Sequence, residues 1–295
     1  GLTDGGSYDL QVITTDNAAN TFTSAIVTVT VDHTPPPAPS TPVLAPASDS
    51  GVQGDNITNV TTPTFTGTAE ANGTVTIYDG ATAVGSGTAT GGSYSVTTST
   101  LSQGSHTISA TVTDQANNVS ASSGTVTVTI DTTAPVPTHV ALANGGTAGK
   151  LDQGDTATIT YSKQLNASTM CSAWASNSSN QSVTNATVTI GDSGANDTLN
   201  VSTATCTFHM GTIVIGDWVA SGGGNAATFT NSTILWNPVA KTLTITMGTL
   251  STGAANIRSS GTAIAPKYTP DTAIADIAGN TMANTQFTDS TVSSF

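Results

Sequence analysis

The side chains in this chain that could do chemistry are few, and most of them are carboxylates. Eighteen Asp and Glu stand against five Lys and Arg, for a net charge of −13. Residues 1–149 hold no Lys or Arg, yet they carry ten carboxylates, among them Asp32, Asp49, Asp55, Glu70, Asp114 and Asp131. Acids with no internal base either face water from turns or converge and repel, unless a hard cation sits between them. Calcium, which takes roughly six to eight oxygen ligands, suits such a donor set. The two cysteines, Cys171 and Cys206, read as a disulfide in an extracellular chain. A loop of that length contributes on the order of 3–4 kcal/mol in the chain-entropy model. A metal site shared by Cys206 and His209 is the competing idea, but residues three apart on a strand point to opposite faces. Trp174, Trp218 and Trp236 offer flat rings that could stack on sugars, and a β core asks for the same rings.

Several classes of function fall away at this point. The acidic balance argues against nucleic acid, whose phosphates need a basic patch. Glycoside hydrolysis needs two facing carboxylates, and a single Glu with turn-bound Asp residues supplies no such groove. No Gly-x-Ser-x-Gly elbow, His-Glu-x-x-His or phosphate loop appears. His33, His106, His139 and His209 are scattered and read as strand or linker residues. No catalytic residue is assigned, and the chain reads as a non-enzyme. No apolar run approaches the roughly 18–20 residues of a membrane span, and no signal peptide is present.

The elements that must position these groups are strands and turns. Asp-x-Ala-x-Asn occurs three times, at 16–20, 114–118 and 276–280. The first two copies lead into alternating Thr and Val, and then into Asp32-His-Thr-Pro-Pro36 and Asp131-Thr-Thr-Ala-Pro135. Repetition of this kind marks a tandem array. An Asp bonds the backbone two residues on and an Asn tolerates a left-handed conformation, so each turn closes a hairpin. Period-two alternation then buries one face of each strand. Strands are expected at 7–14 and 21–31, followed by a stiff Pro35–Pro39 linker and one complete sandwich with turn signals every 8–12 residues or so. Further strands are expected at 156–161, 183–190, 212–215, 233–236 and 243–247, with a short helix capped by Asn166 or Ser168.

Residues 40–135 resemble the bacterial Ig-like domains repeated in large surface adhesins, including calcium-dependent RTX-type extender modules. The motifs are Thr-Pro-Thr-Phe-Thr-Gly-Thr-Ala-Glu70, Val-Thr-Ile-Tyr-Asp-Gly80, the Asp114 turn and Ile-Asp-Thr-Thr-Ala-Pro135. Residues 1–36 are similar to the last third of that module. In the last domain, Ser232-Thr-Ile-Leu-Trp-Asn-Pro238, Lys241-Thr-Leu-Thr-Ile-Thr-Met-Gly248 and the Asp276 turn resemble Ig-like modules of actinobacterial and S-layer surface proteins. The resemblance implies an all-β chain of tandem Ig-like antiparallel β-sandwiches arranged end to end. Its expected domains are a closing hairpin at 1–36, a complete module at 37–135 and a larger one at 136–295.

With strands in Ig-like order, the final-hairpin turn and the loop after the second strand share one pole, where the preceding module's exit arrives. Asp32, Glu70 and Asp114 are therefore expected to meet around Ca²⁺. Asp49, Asp55, Asp131 and Asp276 are expected at a second calcium site. The resemblance implies a segment of an extracellular bacterial surface fibre or adhesin, stiffened by junction calcium. Its partners would be neighbouring Ig-like domains or identical chains. A filament subunit whose N-terminal half domain is completed by a neighbour, and a glycan-binding module using the tryptophans, are the alternatives.

Overall fold

Alternating Thr and Val put methyl groups on one face of a strand and hydroxyls on the other, and this chain is assembled from such rows. The computed structural model describes residues 1–222 and 225–295. They are almost wholly β and divide into two compact units, residues 1–49 with 60–130 and residues 50–59 with 131–295. Among the described residues no helix is long and apolar enough to cross a membrane.

In the first unit, the expected strand 7–14 is interrupted, giving Ser7–Leu10 and Ile13–Thr15; 21–31 likewise gives Thr21–Thr23 and Val27–Thr30. A serine causes the break. Ser24 Oγ accepts the Val12 N–H at 3.0 Å and donates to the Ala25 carbonyl at 2.9 Å. Its counterpart Ser123 accepts the Ala110 N–H at 2.9 Å and donates to the Gly124 carbonyl at 2.7 Å. Ser24 lies four residues past Asn20, whereas Ser123 lies five past Asn118. Beyond the serine the two hairpins agree again, with Leu10 opposite Val27 and Ile108 opposite Val126.

The middle segment forms two sheets around one core. Val43–Leu44, Thr64–Thr68 and Ser93–Thr97 make one sheet, with the central strand paired to both others. The other runs Val126–Ile130, Gly104–Thr113, Thr74–Asp79, Thr82–Thr88, all antiparallel. Phe65, Val75, Ile77, Tyr94, Val96, Ile108, Val112, Val128 and Ile130 fill the space between. Burying one such aliphatic side chain contributes about 1.5–3 kcal/mol. The 7–30 hairpin repeats the pattern without that burial. Ile108 and Ala110 are fully buried, while their counterparts Leu10 and Val12 are 54% and 64% exposed.

In the second unit, one continuous antiparallel sheet runs from Pro137–Ala143 through Thr156–Tyr161, Thr242–Thr246, Ala226–Asn237, Gln181–Gly191, Asp197–Ser202, Gly211–Gly216 and Lys267–Pro270 to Phe287–Thr288. Its two ends meet: Asp289 Oδ2 accepts the Val140 N–H at 2.7 Å, and Ser293 Oγ accepts the Leu142 N–H at 3.0 Å. The sheet thus folds over on itself around a core that includes Trp174, Trp218, Trp236, Tyr161 and Tyr268. The two tyrosine hydroxyls lie 3.1 Å apart in its centre, and burial pushes both phenols above their usual range. Four of the expected strands appear here within two residues of their limits, while 233–236 is only the end of a strand that begins at Ala226. The short helix is Ala167–Met170, capped by Asn166, whose side chain accepts the Ser168 N–H.

Candidate functional site

The three Asp-x-Ala-x-Asn turns share one hydrogen-bond pattern. In each, Asp Oδ1 accepts the backbone N–H of the Asn four residues on, at 2.9 Å for Asp16, 2.8 Å for Asp114 and 2.9 Å for Asp276. The Asn amide returns the contact, donating to Asp Oδ2 at 2.8, 2.9 and 3.1 Å. The left-handed residue is the fourth, not the final Asn: Ala19 at φ 59°, Asn117 at 69° and Gly279 at 88°. At Ala19 this conformation costs on the order of 1 kcal/mol. The final Asn is kept free for hydrogen bonding, a role the sequence reading did not assign.

That role extends beyond the turn. Asn118 Nδ2 donates to the Asp32 carbonyl at 3.1 Å, and Asn280 Nδ2 donates to the Asp131 carbonyl at 2.8 Å. Each exit Asp also turns its own chain, with Asp32 Oδ1 accepting Thr34 N–H at 3.0 Å and Asp131 Oδ1 accepting Thr133 N–H at 3.1 Å. A turn thus clamps the exit segment of the preceding hairpin, twice, with the same atoms. Desolvation raises the Asp114 carboxyl, but the Asn118 side-chain and backbone donors outweigh it and hold it below its ordinary value. The exposed Asp16 is held low by the same donors from Asn20.

Around the first clamp, Asp32, Glu70 and Asp114 line a single open cavity of about 480 Å³, together with Thr30, Asn72, Gly73 and Gln115. The lining offers three carboxylates and the amides of Asn72 and Gln115, with no Lys, Arg or His among its residues, a donor set of the hard-oxygen kind that calcium takes. The spacing is that of a cavity and not of a closed shell, because among the described residues no three His, Cys, Asp or Glu side chains converge closely enough to hold a metal ion.

Around the second clamp the arrangement is different. Lys163 Nζ lies 2.8 and 2.7 Å from the two Asp131 carboxylate oxygens, 2.5 Å from the Thr133 carbonyl and 3.3 Å from Asp276 Oδ2. An ammonium therefore stands between the two acids expected to share a calcium. Asp55 caps its own loop, its Oδ1 accepting the Ile57 N–H at 2.8 Å, and Asp49 is buried in the first unit. Loop 50–59 packs on the Asp276 turn: Ser50 Oγ donates to the Ala278 carbonyl at 2.6 Å, and Val52 N–H to Ile277 at 2.9 Å. Gly51 has φ +69°, and a Cβ there would lie 2.2 Å from the Ile277 carbonyl, so only glycine fits this approach.

The remaining candidates resolve simply. Cys171 and Cys206 are joined in a disulfide with Cα atoms 5.6 Å apart. His209 instead faces Asp271 at 2.9 Å. His33, His106 and His139 likewise each face an aspartate, Asp4, Asp79 and Asp289. Trp174, Trp218 and Trp236 are all buried, so none presents a face to a sugar; the demand of the core for large apolar groups takes all three.

Comparison with known proteins covers part of the chain. No curated protein matches it. A solved structure described as a biofilm associated protein, BSP domain, aligns over 71% of this chain at 13% identity, with a TM-score of 0.20. The chain spans 29% of that structure. A likeness this low supports no argument about fold or role. Residues 36–132, about a third of the chain, match the family model of a bacterial Ig-like domain.

Proposed function

We propose that this chain is a structural segment of an extracellular bacterial surface fibre or adhesin, in which successive Ig-like modules are held in line by exit–turn clamps. The observation that carries the reading is the repeated bond from the last Asn of a turn to the exit Asp carbonyl, at Asn118–Asp32 and Asn280–Asp131. Each bond ties the exit segment of one hairpin to the turn that closes a later one. The match of residues 36–132 to a bacterial Ig-like domain supports the surface location. Calcium drawn to Asp32, Glu70 and Asp114 would neutralise the first clamp, whose half of the chain has no Lys or Arg of its own. Small-angle scattering and calorimetric titration test this. Ca²⁺ should bind with heat, and its removal by chelator should change the maximum dimension. No heat and an unchanged profile would overturn the calcium part of the proposal.

A second reading is favoured by the 7–30 hairpin. Leu10, Val12, Phe22 and Val27 are all more than half exposed, where the equivalent hairpin in the middle module packs into a core. Strands from a neighbouring chain would cover that face and its free edge. Sedimentation across a range of concentrations would show growing polymers if this is so, and a constant mass if it is not.

A further inference from the structure

The two clamps share their backbone and Asx bonds, and they differ at one side chain. Glu70 lies two residues past the end of Thr64–Thr68, and Lys163 two past the end of Thr156–Tyr161. Both strands pair antiparallel with the first strand after the exit segment, Val43–Leu44 in one case and Pro137–Ala143 in the other. The positions are therefore equivalent, and the charge is reversed. At the first, a third acid joins Asp32 and Asp114. At the second, the ammonium touches both oxygens of Asp131, the Thr133 carbonyl and Asp276 Oδ2. The Asp276 side chain is 1% exposed and that of Lys163 23%, so most of this contact is shielded from water and salt.

We propose that Lys163 is the resident cation of the second clamp, and that the residue at this position decides whether a clamp is self-sufficient or takes up a divalent cation. The second half of this proposal rests on the calcium reading of the first clamp; the role of Lys163 does not. The ammonium spends its hydrogen-bond capacity on the exit segment and cancels one of the two acids that meet there. Without it, Asp131 and Asp276 lose the ammonium that lies against both carboxylates.

All three tryptophans lie in the second unit, so urea unfolding followed by tryptophan fluorescence reports that unit alone. In the full chain, Lys163→Met should lower its folding constant roughly 30-fold, between the losses at exposed and at fully buried pairs because the Lys163 side chain is 23% exposed, and Lys163→Arg should recover most of the loss. The wild-type transition should be the same in millimolar CaCl₂ and in EGTA. Lys163→Glu should unfold earlier in EGTA and regain at least tenfold with Ca²⁺. An unshifted Lys163→Met transition, or a wild-type tryptophan transition that already responds to Ca²⁺, would overturn the role of Lys163. A Lys163→Glu chain indifferent to Ca²⁺ would overturn the claim that this position selects the cation. Calorimetric titration of wild type against Glu70→Lys separates the two readings. If wild type takes up no Ca²⁺ while Lys163→Met is destabilised, the calcium reading of the first clamp fails and the resident cation stands.

Discussion

The three Asp-x-Ala-x-Asn turns allow one substitution to be made in three settings of increasing burial. Asn280→Ala removes a bond to the Asp131 carbonyl and the amide contacts to the Asp276 carboxylate, itself 1% exposed. A neutral hydrogen bond is worth about 0.5–1.5 kcal/mol net and one to a charged group about 1.5–3, so the expected loss is about 3 kcal/mol. For a unit of roughly 175 residues, a urea slope of about 2 kcal/mol/M turns this into a fall of about 1.5 M in midpoint. Tryptophan fluorescence reads it directly. Asn118→Ala breaks the same two kinds of bond around a half-buried Asp114, and should cost about half as much in the first unit. Asn20→Ala removes only the contact to exposed Asp16 and should cost under about 0.5 kcal/mol. Equal losses at all three sites would refute the argument that burial of the clamp sets its strength. So would an Asn280→Ala midpoint within about 0.3 M of wild type, given the slope used above.

Three further outcomes are expected. Replacing Cys171 and Cys206 by Ser opens a loop spanning 35 residues, and should lower second-unit stability by about 3–4 kcal/mol, read by the same fluorescence transition with and without reductant. Desolvation raises the Asp289 carboxyl, but donation from Thr291 and Val140, with His139 beside it, brings it down to about 2. A depressed folded value stabilises above the unfolded value of about 4 and is lost as pH falls toward the folded one. Stability should therefore drop between about pH 4 and 2, and Asp289→Asn should flatten that limb in acid titration by circular dichroism. At Gly261 an added Cβ would lie 2.1 Å from the ring of fully buried Trp218. Gly261→Ala should cost about 2–3 kcal/mol by overpacking and alter the near-ultraviolet dichroism of that indole.

The parts of the fold that could be read in advance are those written locally. Alternation of Thr with Ala, Ile and Tyr gave the strand Thr156–Tyr161 to the residue, and of the two cap candidates, Asn166 and Ser168, the first caps the helix Ala167–Met170. Strands without that signature went unseen. Lys267–Pro270 ends in a proline and Asp197–Ser202 begins with an acid, yet both lie inside the sheet; the acid is tolerated because Asp197 Oδ2 accepts the Trp218 and Val219 N–H groups at 2.6 Å each. The candidate site divides the same way. The turn motif and its acids were plain, since their spacing is four residues. Lys163 was not, because its partners Asp131 and Asp276 lie 32 and 113 positions away and only the pairing of strands brings them together. Nor does a turn motif reveal that its closing Asn reaches across to a carbonyl supplied by another hairpin.

The serine behind each turn has a consequence for how such chains change length. Ser24 and Ser123 take the ladder N–H of Val12 and Ala110 at nearly the same distance, although the path from the turn is one residue longer in the second. A slip of one residue along a strand would swap its inward and outward rows. Here the serine resets the count before Val27 or Val126 is reached, so an inserted residue is absorbed as slack and never enters the ladder. Copies of the module can drift in length at this spot while the face that meets the core keeps its composition.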